Sequence, residues 1–373
     1  MQFRPHDPAV NLVLVLLMLL VPLGVVVYLA RTKGKPAGPR AERWIRTQYD
    51  PAAFGLVPRE QLDPSRGGPV LDPDARARAQ EVADAAWDGD WRVAAAYCEA
   101  AGRDWDERWS RIELLIQIAE SDDRWLNDWR GAQPDNGDAG TVYAQVLLHR
   151  AWEIRGTEYA NKVPAERMRQ FKEMLPAAMA AAQQAADRAP HDPGPWVVMV
   201  TAARGMQYSH SQFAELWRNL QLRAPHHGPA HWQALQYWCD KWFGSDTLMF
   251  DFAVRAVGTS PAGSTLAGLY LHALDEVEKR GGRRGTRADK HVKARLEDVA
   301  RRLDTVPETR EGLARLRHKL AHHLLAAGMD REALEQFRRI GPYCGAAPWS
   351  QDDAGASAAF DHARGRAAYG SRA

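Results

Sequence analysis

The 373-residue chain is poor in cysteine, holding only Cys98, Cys239 and Cys344. They are odd in number, far apart and without a C-x-x-C spacing, which argues against a disulfide framework or a thiolate zinc site and suits a reducing compartment. Charge of one sign is also missing: 49 Lys and Arg nearly balance 47 Asp and Glu, so no global field points to nucleic acid. The chain has no Gly-x-Ser-x-Gly elbow, no paired-cysteine redox motif and no dinucleotide fingerprint. No catalytic residue, cofactor or metal is therefore nominated, and the chain is not expected to be an enzyme.

Long apolar runs are scarce as well, with one exception. Asn11 to Ala30 reads NLVLVLLMLLVPLGVVVYLA without a charge, and about 20 residues at 1.5 Å each cross a hydrocarbon core of about 30 Å. Pro22 and Gly24 are tolerated in such a helix. A cleaved signal peptide is the alternative, but only Arg4 precedes the run, and Tyr28-Leu29-Ala30 lacks small residues at both cleavage positions. The expectation is a transmembrane helix over 11–30 behind a short segment, 1–10. Arg31, Lys33, Lys35, Arg40, Arg43 and Arg46 against a single Glu42 place the following chain in the cytoplasm by the positive-inside rule. The same flank would be attracted to anionic headgroups at about 1 kcal/mol per charge.

Residues 31–73 hold Pro36, Pro39, Pro51, Pro58, Pro64, Pro69 and Pro73, and read as a basic Pro/Gly-rich linker. From Asp74 onward Ala, Leu, Glu, Gln and Arg dominate with little β-branched alternation, so the fold class is all-α, with a helical-repeat domain over 74–350. Residues 351–373 lose apolar periodicity and read as a disordered tail.

Arg188-Ala189-Pro190 recurs as Arg223-Ala224-Pro225, and Ser260-Pro261 follows, so the prolines step by 35 and then 36 residues. A period near 34 belongs to helix-turn-helix repeats in which proline closes the second helix. The spacing predicts helices ending at or before Pro190, Pro225 and Pro261. Gly89-Asp90-Trp91, Gly244-Ser245 and Gly328-Met329 read as the turns inside pairs. These residues resemble tetratricopeptide repeats, in irregular form, because the insertion Thr157 to Lys172 stretches the Pro134-to-Pro190 interval to 56 residues. The run RAPHHGPAHWQALQYWCDKWFGSDTLMFDFA, Arg223 to Ala253, also resembles an actinobacterial family catalogued as a domain of unknown function. That resemblance implies a scaffold-like role and supplies no substrate.

Fourteen tryptophans are many for this length. Trp105/Trp109, Trp125/Trp129 and Trp238/Trp242 are four apart and would share helix faces. Filling the gaps between helix pairs is one reading, in which Trp238 is mostly buried beside an exposed loop, His226 to Gly228. The other is a peptide-binding groove, for which Trp217, Trp232, Trp238 and Trp242 are the partner-binding candidates. Histidines cluster at His226, His227 and His231 and at His318, His322 and His323. His318 and His322 are one turn apart, a zinc-compatible spacing, but Lys319 stands where a His-Glu-x-x-His site needs Glu. The basic loop Lys279 to Arg287 lacks the Gly-Lys-Ser/Thr of a P-loop and interleaved aromatics, so nucleic acid is not the favoured partner. The expectation is a membrane-anchored scaffold for an unidentified protein at the cytoplasmic face. An enzyme using His318 and His322, or a nucleic-acid binder through the basic loop, are the alternatives.

Overall fold

The computed structural model describes residues 38–156, 162–281 and 290–372. Residues 1–37 lie outside it, and with them the expected transmembrane helix and half of its basic flank, Arg31, Lys33 and Lys35. No helix among the described residues is long and apolar enough to cross a membrane. The described residues are all-α: sixteen helices, four short 3-10 turns and no strand.

Two compact units divide the chain. Val70–Ala273 with Val299–Leu313 forms one; Leu274–Asp298, Ala314–Ala373 and the segment up to Pro69 form the other.

The first unit contains five successive helix pairs: α2 (Ala75–Trp87) with α3 (Trp91–Glu99), α4 (Trp105–Ser121) with α5 (Arg124–Ala132), α6 (Gly137–Arg155) with α7 (Ala165–Arg188), α8 (Gly194–Gly205) with α9 (His210–Arg223), and α10 (Gly228–Trp238) with α11 (Asp246–Thr259). The leading helices α2, α4, α6, α8 and α10 each pack on the next in the series. The proline register holds. α7, α9 and α11 stop at Arg188, Arg223 and Thr259, so that Pro190, Pro225 and Pro261 each lie just beyond a helix. Steric pressure on the residue before proline accounts for it. The turns read from sequence are also present. Gly89 has φ +86° and Gly328 φ +70°, the left-handed conformation of a helix end, while Asp90 and Ser245 cap the helices that follow.

Small residues set the helix spacing. A Cβ on Gly140 of α6 would lie 2.7 Å from the Cβ of Ala185 on α7, where Ala178, Ala182, Ala185 and Ala186 are buried. α8 is buried round its whole circumference, with Val197, Val198, Met199 and Val200 inaccessible, as expected of an all-apolar helix at a core centre. At the other end of the unit, Val82, Ala94, Leu115, Leu126 and Val142 surround Trp125 and Trp129, whose rings stack at 6.3 Å. A bidentate ion pair joins α4 to α6: Arg108 Nε and Nη2 reach the two oxygens of buried Asp138 at 2.7 and 2.6 Å.

In the second unit the expected linker is ordered over its described residues, 38–69. Pro39 opens α1 (Pro39–Thr47), and Pro51 and Pro58 precede 3-10 turns, positions where a missing N–H costs nothing. Asp63 N–H donates to Pro342 O at 2.8 Å, and Cys344 and Gly345 N–H donate back to Asp63 and Arg66 carbonyls. Proline content therefore misled: distant backbone, invisible in local composition, pins this stretch. The expected disordered tail is likewise helical. α16 (Ala356–Ser371) follows α14 (Leu313–Ala326) and α15 (Asp330–Ile340), and buries Phe360, Ala363, Arg364, Ala367 and Ala368. Its contact face is made of small residues, which carry little apolar signal yet allow close approach to α1 at Gly365. Inside, Arg364 donates through Nη1 to Val57 O at 2.9 Å and through Nη2 to Asp361 at 2.6 Å.

Candidate functional site

The four tryptophan candidates are all half-buried, and no ring contact among the described residues joins any two of them. Trp217, on α9, meets His231 at 4.8 Å and Phe252 at 5.3 Å. Trp232, on α10, lies 4.8 Å from His272. Trp238, expected mostly buried, ends α10 and is mostly covered, against His210 at 4.9 Å and Tyr237 at 5.1 Å. Trp238 and Trp242 do not form a helical stripe, because α10 stops at Trp238 and Trp242 falls in the following turn. There Trp242 faces Trp152 edge-on at 5.6 Å. The guanidinium groups of Arg155 and Arg204 lie 4.9 and 5.2 Å from its ring centre. These are cation–π distances. Trp217 and Trp232 keep separate aromatic neighbours, whereas Trp238 and Trp242 are linked through Tyr237 and Phe243, and α8 is buried in the interior of the unit.

α9 is different. Besides Trp217 it carries Leu222, 77 % exposed, an apolar side chain that no sequence signal singled out.

The loop expected to be exposed at His226 to Gly228 is anchored instead. His227 is buried as the N-cap of α10: its Nδ1 accepts from Ala230 N–H at 3.2 Å, and its Nε2–H donates to Trp105 O at 3.1 Å. Asp106 accepts Gly228 N–H at 2.9 Å. His231 donates through Nδ1 to His227 O at 2.8 Å, and burial lowers it to about 4. Both rings are neutral structural groups.

His318 and His322 separate in the same way. His318 is fully buried, takes the Trp349 indole N–H on Nδ1 at 2.9 Å and donates Nε2–H to Gly67 O at 3.1 Å. Neither nitrogen is left for a metal. His322 turns to a different set formed between α12 (Leu269–Lys279) and α14. Its Nε2 stands 2.9 and 3.1 Å from the carboxylate oxygens of Glu278. Beside it, His323 Nε2 reaches Asp275 at 2.8 Å, and Asp275 also pairs with Lys319. Burial works to raise Glu278, but the hydrogen bond from His322 holds it below its ordinary value. Burial lowers His323, keeping it neutral against the pull of Asp275. The sequence placed His322 in a pair with the wrong neighbour, because i,i+4 spacing ignores which ring a buried indole has already claimed.

The basic loop Lys279 to Arg287 falls mostly outside the described residues. Its start does not: Lys279 pairs with Glu276 at 3.4 Å, and Gly281 at φ +70° follows α12. The three cysteines are free and buried, and burial pushes the Cys98 and Cys344 thiols up, opposite to the direction of a reactive cysteine. A cleft lined by Arg130, Asn136, Tyr143 and Arg188 encloses about 50 Å³, small beside the roughly 300–1,000 Å³ of ligand pockets.

Comparison of the chain with protein families, with curated proteins and with solved structures finds no match.

Proposed function

We propose that the chain is a membrane-anchored, tetratricopeptide-like helical scaffold that binds another polypeptide at the cytoplasmic face. The anchor is the apolar run Asn11 to Ala30 and the orientation comes from its basic flank. Support for the repeat reading is the five tandem helix pairs, the last three of them closed by prolines 35 and 36 residues apart. The observation that carries the binding reading is α9, where Leu222 stands 77 % exposed on the helix that bears half-buried Trp217. An accessible apolar side chain on a helix that also carries a partly exposed tryptophan suits the helix-in-groove or helix-face modes of peptide recognition. Confinement to the membrane would raise the effective concentration towards partners held there.

The test is a photo-crosslinking amino acid placed at position 222, with a second at exposed Arg301 as control, in the full chain in native membranes. A discrete protein adduct from position 222, absent at 301 and lost on Trp217→Ala, supports the reading. Equal or absent crosslinking at both positions rejects α9 as the binding helix.

A further inference from the structure

We propose that Glu278, His322 and His323 form a binding site for a divalent metal ion of the zinc class, held between α12 and α14. The three side chains each offer one ligand atom, and these atoms all lie within 4.8 Å of one another. The donor set is two imidazoles and one carboxylate, which suits Zn²⁺ and its late first-row neighbours rather than Mg²⁺ or Ca²⁺, whose ligands are oxygen. With metal–ligand bonds of about 2.0–2.2 Å, tetrahedral ligands sit roughly 3.3 Å apart. His322 Nε2 and Glu278 are already 2.9–3.1 Å apart, so an ion can replace the bridging proton with little movement. His323 must close the remaining gap.

The surroundings have the organisation of a metal site. Asp275 accepts from Nε2 of His323 at 2.8 Å, which fixes the ring and leaves Nδ1 as the lone-pair nitrogen. A carboxylate behind a ligating histidine orients the ring and strengthens it as a donor. Lys319 in turn holds Asp275. Two carboxylates, Asp275 and Glu278, stand here against one lysine, Lys319, in a partly buried place, and a bound cation offsets that excess. Three protein ligands leave a fourth position for water.

A second group, Glu120, His149 and Glu153, has similar spacing but lies nearer the surface, with His149 and Glu153 exposed. It serves as the control. The experiment titrates Zn²⁺ into the full chain in detergent micelles against a chromophoric chelator, and records the visible spectrum with Co²⁺. The expected result is one ion per chain, with affinity lowered at least about tenfold by His322→Ala and by Glu278→Gln and unchanged by His149→Ala. An intense four- or five-coordinate Co²⁺ spectrum is expected from the unaltered chain and needs no variant to fold. Absence of that spectrum, absence of saturable zinc uptake, or loss of uptake in His149→Ala alone overturns the proposal.

Discussion

Trp349 donates its indole N–H to Nδ1 of His318 at 2.9 Å, and both side chains are buried. This contact, with the Gly67 carbonyl on the other ring nitrogen, fixes His318 as the neutral Nε2–H tautomer. Burial lowers its pKa from an ordinary 6.5 to about 4. Unfolded chain therefore binds a proton at His318 below pH 6.5, whereas folded chain does so only near pH 4. The unfolded state holds more protons between those values, so stability falls as pH falls through this window and is retained above it. The expected loss between pH 7.5 and 4.5 is about 2–3 kcal/mol from this group. Urea denaturation at the two pH values measures it. His318→Gln should be less stable at pH 7.5 but show a shallower pH slope, and an unchanged slope would remove His318 as the titrating group.

Trp349→Phe keeps an aromatic side chain but deletes the donor together with the pyrrole part of the indole. His318 Nδ1 is then a buried acceptor without its partner, at a cost of about 1–3 kcal/mol. The same substitution should raise the His318 pKa, because the freed nitrogen can take a proton. Chemical denaturation reads the first effect and the histidine ring signals in a pH titration read the second. A variant as stable as the parent would show that water replaces the indole.

Gly244 packs where no side chain fits: a Cβ there would overlap the Trp238 carbonyl that ends α10. Gly244→Ala should therefore cost about 3 kcal/mol by displacing the turn between α10 and α11. Gly258→Ala, in α11 with open space around its Cβ position, is the matched control and should be neutral or slightly stabilising. Thermal melts of the two variants give the comparison.

These sites mark where sequence alone sufficed. Proline at Pro190, Pro225 and Pro261 acts through its own ring on the residue before it, so the helix ends were legible locally. Gly89 and Gly328 likewise announce turns through their own backbone freedom. What escaped depended on partners far along the chain. α16 escaped because Gly365 reveals its role only when α1 lies against it, and Ala363 and Ala367 only when distant parts of the chain bury them. His318 looked like a ligand until Trp349, 31 residues away, was seen to occupy it.

Phe360 tests the status of the C-terminal segment. It meets Phe337 at 5.2 Å and Trp349 at 5.8 Å and is fully buried. Phe360→Ala leaves a cavity, and the expected cost is about 3–5 kcal/mol. A disordered tail would register almost nothing. Denaturant titration of the variant decides the matter.

The last prediction concerns the tether and where it can be cut. α1 begins at Pro39 and is fastened to α16 by three contacts. Glu42 accepts from His362 at 3.0 Å, Trp44 lies 5.6 Å from Tyr369, and the Arg372 guanidinium sits 4.8 Å over the Trp44 ring. A deletion meant to test the proposed membrane anchor alone must therefore stop at residue 37. Deleting residues 1–37 should move the chain from the carbonate-washed membrane pellet to the supernatant with its melting temperature changed by less than about 2 °C. Carrying the deletion to residue 46 also removes Ala41, Trp44 and Ile45, all buried. At about 1.5–3 kcal/mol for each large apolar side chain, the longer deletion should melt several degrees lower and expose α16 to proteolysis. The two deletions separate the anchor from the packing role. If the shorter form still pellets with washed membranes, the run Asn11 to Ala30 is not what holds the protein there. If the longer form melts with the shorter, α1 adds nothing to the unit it caps.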